Sequence, residues 1–346
     1  MLETLIQQLA TGRPLDAGQI HQSVERLTDE TVPTEAKAGF LTALARKGET
    51  PGEIAAFARA LRDKSVRPPI DPAWRDQREI LDVVGTGGDR LGTFNISTAT
   101  AIVCAAAGVA VAKHGNRAVT SRAGSADTLE ALGVRIDLSP AEAARSLRER
   151  HFAFFFAPNY HPAFKHIAPA RKLCAERGQR TIFNYLGPLL NPARPSAMLV
   201  GVPQPELCDP IARVLQSLGV RRAMVVCGTV PAGGCLDELS TLGPNTLAEF
   251  YQMRGFAASA LAPEQFPLQA ATLADLLGGD RQANAEIVRR ILRGEERGPK
   301  RDAVLLNAAA ALFVADKAGS LVAGWELAAA VIDSGKAGAK LVELAS

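Results

Sequence analysis

The chain has 346 residues but only five cysteines: Cys104, Cys174, Cys208, Cys227 and Cys235. They are too few and too scattered for a disulfide framework. No CxxC pair exists, which excludes a thioredoxin-type site and a cysteine-based zinc site. An odd number of thiols fits a reducing compartment. An excess of one charge is also missing, since 39 Lys and Arg face 36 Asp and Glu for a net +3. That balance lacks the electrostatic footprint of a nucleic-acid-binding protein, yet leaves room for a local basic pocket for a small phosphorylated ligand. The longest nearly apolar run, residues 99–112, falls short of the roughly 20 residues that cross a bilayer. The first residues, MLETLIQQLA, carry an acid at Glu3 where a signal peptide has a basic region. No period of about 20–50 residues marks a solenoid. These absences predict a soluble cytoplasmic protein with neither membrane nor nucleic-acid partner.

What is present reads as an ordinary globular chain, 47% apolar and 22% charged. A length near 350 suggests two to three domains at about 150 residues each. Residues 1–70 hold short amphipathic helices. One begins at Asp16, one runs from Pro33-Thr34 to about Gly48, and one opens with Thr50-Pro51-Gly52-Glu53, a capping pattern with proline at the first helical position. Val66-Arg67-Pro68-Pro69-Ile70-Asp71-Pro72 is a stiff linker and marks the boundary. From 71 to 346 short apolar runs (80–84, 109–112, 152–157, 198–202, 223–227) alternate with helical spacing, as at 139–150 and 204–218. That alternation predicts an α/β domain with a mostly parallel central sheet flanked by helices. Residues 229–280 read as irregular, and 281–346 as helices again.

Four segments carry chemistry. Val84-Gly85-Thr86-Gly87-Gly88-Asp89 stands where a strand ends, and its glycines let exposed N–H groups approach phosphate oxygens. Thr93-Phe94-Asn95-Ile96-Ser97-Thr98 follows at a helix start, where anions are favoured. Neither GxGxxG nor a P-loop is present, and a tight strand–helix turn without ligand reads the same. Lys113-His114-Gly115-Asn116-Arg117 follows the next strand, so lysine and arginine would face phosphate in the same crevice; a solvated basic loop is the alternative. Thr120-Ser121-Arg122-Ala123-Gly124-Ser125 is a further small-residue turn. Asp237-Glu238 could hold magnesium alongside substrate phosphates, or be an acidic first helical turn. His161-Pro162-Ala163-Phe164-Lys165-His166 reads as one helix running on to Arg171. The spacing speaks against a metal shared by His161 and His166, since five residues apart lies off the i, i+4 geometry.

In this order, GTGGD, TFNIST, KHGNR, GSAD, HPAFKH, RTIFNYLGPLLNPA and LDELS resemble the anthranilate phosphoribosyltransferases of tryptophan biosynthesis, over most of the chain. Pyrimidine nucleoside phosphorylases share the architecture and a related KHG stretch, but not the TIFNYLGPLLNP segment. The resemblance implies an enzyme with a small helical domain, completed by helices near 161–190 and forming a homodimer, and an α/β domain. It implies that Gly85, Thr86, Gly87, Gly88, Asp89, Thr93, Asn95, Ser97, Thr98, Lys113 and Ser125 bind phosphoribosyl pyrophosphate, with Lys113 and Asp89 as catalytic residues. Gly85, His114, Asn116, His161, Arg171 and Pro188 would line the anthranilate channel. Two magnesium ions per subunit would be held by Ser97 and by Asp237 with Glu238.

Several positions depart from that family's pattern. Arg90 stands where glycine is usual, Arg122 and Ala123 replace lysine and serine, and Cys227 replaces histidine. Residues 172–179 and Val230-Pro231-Ala232-Gly233 are longer than usual. The reaction implied is displacement of diphosphate from an anomeric carbon by an aromatic amine. It needs positioning and leaving-group stabilisation more than a strong base, with Arg171 pairing the acceptor's carboxylate. A nucleoside phosphorylase and a catalytically silent binding protein are the other readings.

Overall fold

The computed structural model describes residues 1–118, 122–231, 233–251 and 255–346. Four helices lead: α1 (Leu2–Ala10), α2 (Ala17–Thr28), α3 (Thr34–Lys47) and α4 (Pro51–Asp63). Local chemistry sets their starts. Asp16 with Gln19, and Thr50 with Glu53, each close a reciprocal capping box that satisfies two orphan N–H groups. The linker ends in a helical turn, α5 (Pro72–Asp76), capped by the Asp71 carboxylate.

The sheet begins with β1 (Ile80–Gly85), followed by α6 (Ile96–Ala106) and β2 (Ala110–Gly115). After α7 (Ser125–Ala131) and α8 (Pro140–Arg150) comes β3 (Phe152–Phe156). A single helical turn, α9 (Ala157–Tyr160), then leads to α10 (Ala168–Glu176) and α11 (Phe183–Leu189). Next are β4 (Ala197–Gly201), α12 (Cys208–Ser217) and β5 (Arg222–Val230). The strands β3-β2-β1-β4-β5 are all parallel. The chain winds outward from β1 through β2 to β3, then returns to β4 on β1's other side. The strand order therefore reverses between β1 and β4, and ligands of such sheets bind beside that reversal at the strands' carboxyl ends.

Two expectations are corrected. Residues 229–280 are not merely irregular: β6 (Gly234–Leu236), β7 (Asn245–Tyr251) and β8 (Ala257–Leu261) extend the sheet antiparallel from β5. β8 escapes a sequence reading because AASAL has no β-branched residue and no alternation. The segment from His161 to Arg171 is not one helix. A 3₁₀ turn over Pro162–His166 precedes α10, and His161 lies outside both. Pro169, in the first turn of α10, has no N–H to give and crowds the residues before it, so no helix passes through.

Packing puts the apolar mass on both sheet faces. One face is covered by α6 with the C-terminal helices, α13 (Leu273–Leu276), α14 (Arg281–Leu292), α15 (Pro299–Val314), α16 (Leu321–Asp333) and α17 (Lys336–Leu344). The other face shares one apolar cluster with the N-terminal helices: Leu9, Phe40, Phe57 and Leu61 join Met198, Val200, Val225 and Phe250. Ile167, Ala170, Cys174 and Leu186 belong to the same cluster. Lys37 reaches across to donate to the His166 carbonyl at 2.8 Å. No helix among the described residues is long and apolar enough to cross a membrane.

Candidate active site

β1 ends in the glycine loop. Gly87 and Gly88 take φ of +76° and +93°, the left-handed region that costs glycine nothing, and Arg90 takes +59° where only its backbone strain opposes it. Gly85 and Gly201 close the floor. A Cβ on Gly85 would lie 2.3 Å from Asp237 Oδ2, and one on Gly201 would lie 1.6 Å from the Asp237 carbonyl oxygen. The acidic turn thus fits only because two adjacent strands lack side chains there.

That turn is held from behind by two amides. Asn307 accepts from Leu239 N–H and donates to Leu239 O, and Asn245 does the same at Ser240. Asp237 Oδ2 accepts from Gly87 N–H at 2.6 Å, and Glu238 Oε1 accepts from Ser97 N–H at 3.2 Å at the start of α6. The fully buried Lys113 ammonium donates to Val83 O at 2.7 Å and Ser97 Oγ at 3.3 Å. Burial, with Asp89 close by, raises the Asp237 carboxyl well above its usual range. Burial likewise lifts Glu238 to about 7, against the pull of Lys113. Asp89 acts on Asp237 and Glu238 as a like charge, while Lys113 is an ammonium drawn to Glu238 and Asp82, so the site is short of positive charge. Among the described residues no cluster of three or more His, Cys, Asp or Glu is arranged to enclose a metal, so a hard cation here must complete its shell with substrate oxygens. Two carboxylates beside a phosphate-cradling loop suit magnesium in that way.

The other predicted donor-side residues divide. Thr86 N–H bonds to Gly201 O, and Thr93 bridges to Leu277. Thr98 is wholly buried with an unpartnered hydroxyl. Asn95 is occupied in bracing: Oδ1 accepts from Thr128 and Asn284, and Nδ2 donates to Ala123 O. Ser125 begins α7, its Oγ in the space a Gly115 side chain would fill. Thr120 and Ser121, and Ala232 in the longer 230–233 approach, lie outside the described residues. The expectation that Arg117 faces phosphate is corrected, because it pairs with Asp127 and Glu130 and this raises its pKa.

On the acceptor side the structure builds a file of rings. His114 and His161 meet edge-on at 5.5 Å between centroids; Phe164 lies 5.0 Å beyond His161 and Phe183 a further 5.7 Å. Arg171 is exposed as a residue, but its guanidinium caps the file 4.9 Å over the Phe183 ring, where desolvation lowers its pKa, with no carboxylate partner among the described residues. Burial depresses His114 to about 3 and His161 to about 4, so both imidazoles are neutral near pH 7. Nε2 of His114 and both ring nitrogens of His161 are buried without a partner. Pro188 is buried within α11, the helix that carries Phe183, while Asn116 is exposed on the loop after β2, its Oδ1 accepting from Arg117 N–H. Sequence reasoning missed the bracing amides Asn245, Asn284 and Asn307. Single amides far apart in the chain have no periodicity to betray them.

A helical bundle on a sheet with a phosphate-type crevice at its reversal point is the plan of a known class. Residues 3–65 match the helical bundle domain of a glycosyl transferase family, and residues 77–338 match its a/b domain. Within that class the similarity is specific. The chain is 44% identical to the anthranilate phosphoribosyltransferase of Petrotoga mobilis, over 99% of this chain and 96% of that one. It is 48% identical to that of Thermomicrobium roseum, over 97% and 94%. The crystal structure of the Thermus thermophilus enzyme superposes with a TM-score of 0.88 at 44% identity, covering 98% of both chains. The Saccharomyces cerevisiae enzyme in complex with PRPP and Mg superposes with a TM-score of 0.86 at 26% identity, covering 99% of this chain and 96% of that one. This chain belongs to the anthranilate phosphoribosyltransferase family.

Proposed function

We propose that the protein transfers the 5-phosphoribosyl group from phosphoribosyl pyrophosphate to the amine of anthranilate, releasing diphosphate, in L-tryptophan biosynthesis. One observation carries the reading: the glycine loop, the α6 N-terminus, Lys113 and the 237–238 acids meet at the carboxyl ends of β1 and β2, where His114, next to Lys113 on β2, begins a ring file that ends at the Arg171 guanidinium. An anionic donor and an aromatic carboxylate acceptor suit those two ends.

The diphosphate takes the N–H groups of residues 85–89 and of the α6 start, with Lys113 opposite the charge that grows on it as the anomeric bond breaks. Magnesium, when bound at Ser97 and at Asp237–Glu238 as two ions per subunit, supplies further neutralisation of the leaving group. Asp89 orients the ribosyl end. The acceptor's ring lies against His114 and His161, and Arg171 receives its carboxylate in a forked pair. An arylamine is nucleophilic as it stands, so two neutral imidazoles hold it without an added base. The same reading divides the chain near residue 70 and gives the helical domain, with residues 161–190, the contact of a homodimer.

The test is loss of anthranilate fluorescence with phosphoribosyl pyrophosphate and magnesium. Turnover with all three, and none with phosphate plus a pyrimidine nucleoside, is expected. Activity only in the second mixture would make the protein a nucleoside phosphorylase.

A further inference from the structure

Asp82 is a carboxylate with no solvent exposure, sited on β1 three residues before the glycine loop, and nothing in the reaction above uses it. Asn191, equally buried, belongs to the LGPLLNPA segment. The two meet: Asn191 Nδ2 donates to Asp82 Oδ2 at 2.8 Å. The second Nδ2 hydrogen goes to Ala112 O on β2 at 2.7 Å, and Asn191 Oδ1 accepts from Ala193 N–H at 2.9 Å. Asp82 Oδ1 accepts from His114 N–H at 3.3 Å. Every polar atom of both side chains therefore has a partner, and a carboxylate, which only accepts, allows one orientation of the facing amide.

We infer that Asp82 and Asn191 form a buried clamp that positions the acceptor-lining turn against the end of β2, which makes Asp82 a positioning residue for the acceptor. This rests on the acceptor assignment given above. The clamp acts on that side because of what it joins. One end is the backbone of His114, the inner ring of the file. The other is the segment just after Gly187, Leu189 and Leu190, whose backbone sits against His114, Arg62 and His161 respectively. Side chains alternate along a strand, so Lys113 leaves the opposite face of β2, held by Val83 O and Ser97 on α6. Asp82 is also an attractive countercharge of Lys113, with a larger pull than Glu238. Loosening the clamp therefore frees the 187–193 turn and leaves the donor's lysine in place only where the Asp82 charge is kept.

The inference is tested in the full chain with Asn191→Ser, which loosens the clamp and keeps the Asp82 charge beside Lys113. A rise of at least tenfold in KM for anthranilate is expected, with KM for phosphoribosyl pyrophosphate changed less than twofold. Amide hydrogen exchange over 187–193 should accelerate while that of β1 does not. Asp82→Asn, which sets two amide N–H₂ groups in competition and also removes a charge acting on Lys113, should raise KM for anthranilate at least as far with an added rise for the donor. Asn191→Ala carries the test if Asn191→Ser does not fold. The double variant should be no worse than Asp82→Asn alone, as two groups acting through one bond require. Equal changes in both KM values in the charge-keeping Asn191 variant, or normal kinetics in folded variants, overturns the clamp. Wild-type protein inert toward anthranilate overturns the acceptor assignment instead; there the exchange data alone judge the clamp, and protection over 187–193 equal to wild type overturns it.

Discussion

Across 150 residues of sequence, the Gly87 N–H donates to Asp237 Oδ2 at 2.6 Å. The bond fixes the glycine loop after β1 against the acidic turn after β6, and the Ser97 N–H to Glu238 bond ties the same turn to the start of α6. Gly85 and Gly201 make that approach possible by having no side chain.

Gly201→Ala is expected to abolish that approach. The new methyl would meet the Asp237 carbonyl at 1.6 Å, and backbone cannot yield as a flexible side chain does. Turnover should fall more than a hundredfold in protein that retains wild-type far-ultraviolet circular dichroism. Gly319→Ala, where open space surrounds the added carbon and the residue is exposed away from the site, is the control.

Asp237→Asn with Glu238→Gln should lower turnover well over tenfold and raise the magnesium requirement, because neutral oxygens hold a hard cation less well. In the wild type, the raised Glu238 pKa of about 7 means that cation binding displaces a proton near neutrality. Apparent magnesium affinity should therefore climb from pH 6 to pH 8, with protons released in calorimetry. A flat profile in the presence of donor would return the pair to a helix-capping role.

His114 and His161 should not titrate between pH 8 and 5.5 in nuclear magnetic resonance spectra, since burial holds them near 3 and 4. The unfolded chain protonates both at about 6.5, so as the pH falls from there toward 4 each one withdraws about 1.4 kcal/mol of folding stability per pH unit. His161→Gln should flatten the acid limb of stability relative to wild type. A wild-type histidine signal moving at pH 6.5 from either ring would contradict the burial argument.

Arg171→Ala should raise KM for anthranilate roughly ten- to hundredfold, the worth of a charge-assisted pair, with far less effect on the phosphoribosyl donor. Lysine should rescue in part, since it cannot fork onto both oxygens. The free guanidinium over Phe183 is poised for this. Steady-state kinetics against each substrate decide, and a larger effect on the donor would remove Arg171 from the acceptor's path.

Local signals in the sequence are legible where chemistry is local. The capping pair at Thr50–Glu53 is a helix start and the helical spacing over 139–150 is a helix, and the GTGGD and KHG segments stand at strand ends with the TFNIST segment at a helix start. What stays hidden depends on distance. Arg117 reads as a phosphate ligand until α7 brings Asp127 and Glu130 to it. Asn95 reads as a ligand-binding amide, and Asn284, 189 residues away, occupies it. Asp82 is one acid in an apolar strand, with no spacing to link it to Asn191.

The apolar cluster shared by the N-terminal helices and one face of the sheet has a practical consequence for anyone dividing the molecule. A cut at the proline linker would not release two self-sufficient pieces, because each would carry a raw hydrophobic wall shaped by the other. Leu61 and Phe57 would face water on one fragment, and Met198, Val200 and Phe250 on the other. The ring file lies against that same wall, through Phe183 and Leu186. Heat or denaturant should therefore melt bundle, acceptor channel and sheet in one transition, and the channel has no folded existence apart from the whole chain.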